Sequence, residues 1–364
     1  MESFDLAIIG GSISGLSLAY WLADSDLNIA VFEEDRNIGF PLKCSGIVSE
    51  RILEIFPKLP KSIIERRINL ARISCGNREI ELEVNALILN RPKLEDWLFR
   101  KLKRKGITFI WDRVEGFYIR EDDKRIAIKT KAKEYYLSKF VAGCDGPASI
   151  TRRFFIDRDP DKFYFAKFCY AKEKMPEEFQ VFLDRRYSEF FAWRFPRRKY
   201  VEYGLATKSG LYEKFEKFVQ DRGVRIEEVF GGTIPVGPTK SYFKYGLLLG
   251  DSCAQTKPLT GGGIIYSLLA SKIASEIFRK ENPNFKEYEK KWKRVLGKEI
   301  GYQMLIRKMF ERMNDKERVK LLAEVEKLDI GKIKDYDFPV TAHLSNLSKF
   351  TFAKLFLRYF RFLF

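Results

Sequence analysis

The feature that most constrains this chain lies at its N-terminus. Residues 4–9, Phe-Asp-Leu-Ala-Ile-Ile, form a short apolar run that stops at Gly10-Gly11. Apolar residues then recur at helical spacing over 14–23, and Asn28 to Phe32 reads as a second strand. This is the strand–turn–helix–strand opening of a dinucleotide fold. The turn itself is Gly10-Gly11-Ser12-Ile13-Ser14-Gly15. Against G-x-G-x-x-G, Gly10 and Gly15 match, and Ser12 stands where the middle glycine would let the backbone approach a pyrophosphate. The helix that follows offers free N–H groups and a partial positive charge to phosphates. Glu33 ends the second strand, where a carboxylate would accept hydrogen bonds from ribose hydroxyls. Glu34 is adjacent, so that assignment can slip by one. The plain alternative is an ordinary glycine turn with Glu33 at the surface.

Two later segments bear on which dinucleotide. Ala142-Gly143-Cys144-Asp145-Gly146-Pro147 carries an Asp-Gly pair, which is also a common turn. The run Leu247-Leu248-Leu249-Gly250 reads as a buried strand that delivers Asp251. A turn from Pro258 through Gly261, Gly262 and Gly263 then opens a helix at Ile264. That helix N-terminus would suit the electron-rich edge of a flavin, which becomes anionic on reduction. Asp251 could bind ribityl hydroxyls.

The remaining pattern gives an α/β fold. We expect a Rossmann-type nucleotide-binding domain assembled from 1–50, 90–155 and 243–284. An antiparallel β-sheet substrate domain is inserted as 51–89 and 156–242, and a helical region follows at 285–364. Residues 36–50 read as a loop, 92–105 as a helix between Pro92 and Gly106, and 285–328 as long helices. At 364 residues with 45% hydrophobic content, the chain can bury a sizeable core.

The formal net charge of +17 attracts anions of several kinds, from nucleic acid to lipid surfaces. No zinc-finger spacing, RNP-type motif or basic zipper supports a specific nucleic-acid role. The five cysteines are scattered and lack CxxC spacing, so neither a disulfide framework nor a metal site is expected, and a reducing cytoplasm fits. His343 is the single histidine and lies far along the chain, so a surface or capping role is expected rather than catalysis by a His-containing triad. The first residues read as a strand rather than a leader, and no window reaches the ~18 apolar residues of a spanning helix.

Taken together, the turn at 10–15, the Asp-Gly segment and the Gly-Asp segment resemble the FAD-binding fold of the para-hydroxybenzoate hydroxylase class, over roughly residues 4–280. Four further segments resemble the geranylgeranyl reductase family. They are Gly39-Phe40-Pro41-Leu42-Lys43-Cys44-Ser45-Gly46, Asn90-Arg91-Pro92, Ala192-Trp193-Arg194-Phe195-Pro196 and Lys257-Pro258-Leu259-Thr260-Gly261-Gly262-Gly263-Ile264. The resemblance implies FAD contacts at Ser14, Glu33, Cys44, Ser45, Arg91, Val114, Asp251, Gly263 and Ile264. To these the motifs add Gly10, Ser12, Gly15, Asp145, Gly146, Pro258, Gly261 and Gly262. Phe191, Trp193, Phe195 and Pro196 fall on the family's substrate motif P-x-x-Y-x-W-x-F-P. Ser188 stands in place of its first proline and Phe191 in place of its tyrosine.

The implied chemistry is reduction of isolated double bonds in an isoprenoid chain. It calls for proximity, a dry site and a proton donor. Cys44 is the candidate donor, with ordered water as a rival. Phe179, Phe182, Phe190, Phe191, Trp193 and Phe195 could line an apolar tunnel or simply cover a sheet face. Reducing equivalents would come from NAD(P)H or from a protein such as ferredoxin. Residues 350–364 place Thr351, Lys354, Arg358 and Arg361 on one helical face among Phe, Leu and Tyr, with no acid. That pattern suits peripheral contact with the inner face of a membrane, or docking on the protein itself. Two other readings stay open: a flavin hydroxylase or other oxidoreductase on the same fold, and a non-catalytic basic protein binding membrane or nucleic acid.

Overall fold

The computed structural model describes residues 1–327, 332–333 and 335–344. Among these residues the backbone forms two sheets, of eight and nine strands. In the first, the strands Gly246–Leu248, Tyr135–Gly143, Ser3–Ile9, Ile29–Phe32 and Thr108–Ile110 run parallel in that order. The central ones are buried on both faces, which is why they read as unbroken apolar runs rather than alternating ones. The antiparallel strands Val114–Arg120 and Arg125–Thr130 extend this sheet from Tyr135–Gly143.

Helix Ile13–Leu22 lies between this sheet and two other helices, Ile264–Phe278 and Arg91–Arg104. The last has its start fixed by Asn90, whose side chain accepts from the Lys93 N–H, and by proline in its first turn. Gly106, at φ +80°, ends it.

The second sheet is ordered Ile226–Val236, Lys162–Ala171, Val201–Thr207, Phe191–Pro196, Phe179–Phe182, Ile64–Cys75, Arg78–Leu89 and Lys332–Ile333. It is not wholly antiparallel. Phe179–Phe182 runs parallel to Ile64–Cys75, and Lys332–Ile333 runs parallel to Arg78–Leu89. Part of the expected loop at 36–50 is also strand: Ile47–Ser49 pairs with Arg78–Leu89 and ties the cysteine-bearing loop to the second sheet. The long helix Phe285–Arg312 then packs back on Ile264–Phe278. The tail at 350–364 lies outside the described residues, as does the side chain of His343.

Candidate functional site

A cavity of about 970 Å³ runs between the two sheets. Its first wall is the N-terminal turn. Gly10 sits at φ +104°, and a Cβ there would lie 2.4 Å from the Cys144 carbonyl oxygen, so only glycine lets the two strand ends approach. Gly15 does not reach the cavity. A Cβ on it would meet the Gly10 carbonyl oxygen at 1.9 Å, so its part is to bring helix and turn together.

Ser12 does more than fill the place of a glycine. Its hydroxyl donates to Glu95 Oε1 (2.7 Å) and accepts from Arg91 Nη2 (2.8 Å). Glu95 Oε1 also takes the Ile13 N–H at 3.1 Å, so a buried carboxylate occupies one of the free donors at the start of the helix. Glu95 was not foreseen from the sequence. The available signal was its position one turn after Arg91, to which it is ion-paired.

Glu33 and Glu34 both border the cavity but differ in what they hold. Glu33 accepts from the N–H groups of Gly11 (2.7 Å) and Asp35 (2.8 Å). Burial pushes its carboxyl up, and those two N–H groups oppose the rise. Glu34 is exposed and lies near Arg113.

Asp145 is held from within the protein. It borders the cavity, but its carboxylate is spent on Ser149 Oγ (2.5 Å) and on the Thr151 N–H (2.9 Å) and hydroxyl (3.0 Å). It thus braces the first turn of helix Ile150–Phe155, whose N-cap is Ser149, while it lies on the cavity wall beside Gly146 and Val114.

The second wall is the turn before Ile264. Gly261, Gly262, Gly263 and Ile264 all line the cavity, and helix Ile264–Phe278 begins without a side-chain cap. Its first N–H groups are therefore open to a ligand. Asp251 lies in the short 3₁₀ turn Gly250–Cys253, and a Cβ on Gly263 would come within 3.2 Å of its carboxylate. Burial pushes that carboxyl up to about 6, against the attraction of Arg91. Pro258 is corrected: it is buried off the cavity, and its carbonyl accepts from Arg307 Nε at 3.0 Å. Cys44 and Ser45 border the same space, half-buried, with the Gly46 N–H 3.4 Å from the Cys44 sulfur.

The third wall is aromatic. Phe191, Trp193 and Phe195 line the cavity because they alternate on one face of their strand. The same period turns Pro196 to the other face, so its substrate assignment is corrected. Phe179 and the unforeseen Phe168 join this wall. Phe182 and Phe190 do not: the first packs against Phe218, the second against Tyr164. Ser188 is buried in a turn, and its N–H donates to the Asp184 carbonyl, a bond no proline could make. Tyr336 reaches the cavity from the far end of the described chain, a placement with no signal in the local sequence.

No family model matches the chain. The digeranylgeranylglycerophospholipid reductase 2 of Methanothermobacter thermautotrophicus is 26% identical over 91% of this chain and 94% of its own. The digeranylgeranylglycerophospholipid reductase of Methanothrix thermoacetophila is 24% identical over 90% and 93%. Over about nine-tenths of its length the chain is thus similar to proteins named as geranylgeranyl-lipid reductases. Its fold is that of a solved structure, a geranylgeranyl bacteriochlorophyll reductase-like protein of Thermoplasma acidophilum. The TM-score is 0.85 at 18% identity, covering 98% of this chain and 99% of that one. The walls described above give one cavity a polar end beside the two glycine turns and an apolar end.

Among the described residues, no group of acids, cysteines or histidine is arranged to hold a metal ion, and no helix is long and apolar enough to cross a membrane. All five cysteines are free.

Proposed function

We propose that this protein is an FAD-dependent reductase of carbon–carbon double bonds in the isoprenoid chains of membrane lipids or their precursors. One observation carries the reading: a single cavity joins two helix N-termini and an open carboxylate at one end to a wall of Phe and Trp at the other. Relatives named for reduction of digeranylgeranylglycerophospholipid supply the substrate class.

The residues present fit FAD. Gly10, Gly261, Gly262 and Gly263 put no side chain into the cavity they border, and Asp251 has no hydrogen-bond donor on its carboxylate among the described residues. Glu33 and the Ile13–Leu22 helix would hold the adenosine and pyrophosphate, and Asp251 with Gly261 to Gly263 would hold the flavin half. Bound there, FAD supplies the two-electron reducing chemistry. The protein's own part is to bind, orient and keep water out. Phe168, Phe179, Phe191, Trp193 and Phe195 give an isolated alkene an apolar bed. The Cys44 thiol borders the same cavity and can hold a proton for the second carbon.

Electrons would come from NAD(P)H or a ferredoxin-like donor reaching the flavin. The tail at 350–364 would bring the lipid within reach by lying on an anionic bilayer, since its basic face has no acid to repel phosphate. Vesicle flotation checks this last point: the intact chain floats and a chain ending at Ser348 stays in solution.

The reading as a whole is tested in two steps. Purified protein shows the visible flavin spectrum. Anaerobic incubation with a chemical reductant and a geranylgeranyl lipid then adds hydrogens in pairs, read by mass spectrometry. A colourless protein that takes up no FAD, or product that forms only with oxygen, overturns it.

A further inference from the structure

Beneath the cavity lies a polar cluster inside an apolar sheet. Glu202, on the strand Val201–Thr207, has 0% exposure. Its carboxylate gathers three donors. The Ser45 hydroxyl and Trp193 Nε1 (3.0 Å) both give to Oε1, and Arg197 Nη1 gives to Oε2 at 2.7 Å. Arg197 is itself buried. It also donates to the Ser45 carbonyl (2.9 Å), to Glu65 Oε2 (2.9 Å) and to the Leu89 carbonyl (3.0 Å). Glu65 in turn takes Asn90 Nδ2 at 2.8 Å, at the residue that caps the Arg91 helix.

Only a carboxylate meets this demand. Three donors converge on two oxygens, and a glutamine would turn an N–H₂ toward at least one of them. Leaving such a donor unmet in a buried place is costly, so the geometry is held tightly. The cluster also reaches both kinds of wall. Ser45 borders the cavity next to Cys44, and Trp193 borders it on the aromatic side. Because they share one oxygen, a shift of either changes the bond of the other. On the far side of Cys44–Ser45, Gly46 is pinned by its carbonyl, which takes the Leu89 N–H at 2.9 Å. The freedom left to the Cys44 thiol therefore depends on Ser45.

We infer that Glu202 is a positioning residue that fixes the Cys44–Ser45 loop against Trp193, so that the thiol and the aromatic wall are set as one unit. Nothing in this requires Glu202 to touch a ligand.

The test reads the rate of Cys44 alkylation by iodoacetamide in the full chain as purified. Peptide mass spectrometry separates it from the other four cysteines, which are buried. Ser45→Ala changes the Cys44 rate by at least about threefold, and Ser45→Thr, which restores the hydroxyl, brings it back. Trp193→Phe removes only the N–H donor and also shifts the rate. Combined with Ser45→Ala, it gives less than the product of the two single effects. Glu202→Gln reproduces the change and abolishes the further effect of Ser45→Ala. If Glu202→Gln fails to fold, the Ser45 and Trp193 pair still decides, because both leave the Arg197–Glu202 ion pair in place. Unchanged rates in Ser45→Ala and Trp193→Phe, or effects that multiply independently, overturn the inference. Alkylation uses no reductase turnover, so this result stands or falls apart from the activity proposed above.

Discussion

Ser12 occupies the position where a glycine would complete the nucleotide turn, and its hydroxyl is held between Glu95 and Arg91. Ser12→Gly improves the match to G-x-G-x-x-G yet removes two bonds to charged partners. We expect it to cost about 1–2 kcal/mol in urea denaturation, the opposite of what the pattern suggests. Asp251 makes a second case. Its carboxyl titrates near 3.8 when unfolded and is pushed up to about 6 by burial in the fold. Between those values the folded chain carries the extra proton, so this group's contribution to stability is full below pH 4 and is lost as pH rises through 6. The loss at neutral pH is on the order of 2–3 kcal/mol. Asp251→Asn is therefore more stable than the parent at pH 7 by that order and gains little at pH 4, measured on flavin-free protein, while its hold on FAD weakens. Both residues were legible as site candidates, because turn chemistry is local. Their partners were not, since Glu95 lies 83 residues from Ser12.

On the helix Phe285–Arg312, the residues Glu299, Gln303 and Arg307 recur every fourth place and share one face. In sequence they are three polar residues within the charged run 285–328, and the structure buries all three. Arg307 holds the carbonyls of Pro258 (3.0 Å) and Leu259 (2.8 Å), and Gln303 Oε1 takes the Leu259 N–H at 3.2 Å. Glu299 takes the N–H groups of Val340 (3.1 Å) and Thr341 (2.7 Å) at the helix Pro339–Leu344. One helix face thus clamps the glycine turn and anchors a later helix. Burial pushes the Arg307 guanidinium down to about 10, so the clamp is held against a desolvation cost. Arg307→Met keeps the packing on Phe190 but frees the two carbonyls. Amide hydrogen exchange across 259–263 then accelerates by about tenfold or more, with little change in the sheets. The helix was legible from composition and spacing, whereas its inward polar face was not, because polar residues announce burial only through partners more than 40 residues away.

At the scale of the whole chain, three distant segments close on one buried ion pair. Lys257, in the glycine turn, lies 2.6 Å from Asp337, with side-chain exposures of 1% and 3%. The other Asp337 oxygen takes the Ser49 N–H at 2.6 Å, and its carbonyl takes the Tyr266 hydroxyl at 3.1 Å. Tyr336, beside it, lays its ring 4.0 Å from the lysine nitrogen and borders the cavity. The late segment is therefore part of the site's construction rather than an appendage, although its sequence carries no motif that says so. Removing one partner leaves the other charged and buried, and Asp337→Asn or Lys257→Met each costs about 3–5 kcal/mol. Replacing both together, Lys257→Met with Asp337→Leu, removes both desolvation costs and is milder than the sum of the singles. Urea denaturation of the four proteins gives the coupling directly. If the pair serves only global stability, the double variant recovers both stability and FAD retention. If it also sets the glycine turn, as Tyr336 at the cavity wall implies, stability returns while FAD dissociates faster than from the parent. We expect the second result, because the Ser49 N–H and the turn lose their shared anchor however well the apolar replacements pack.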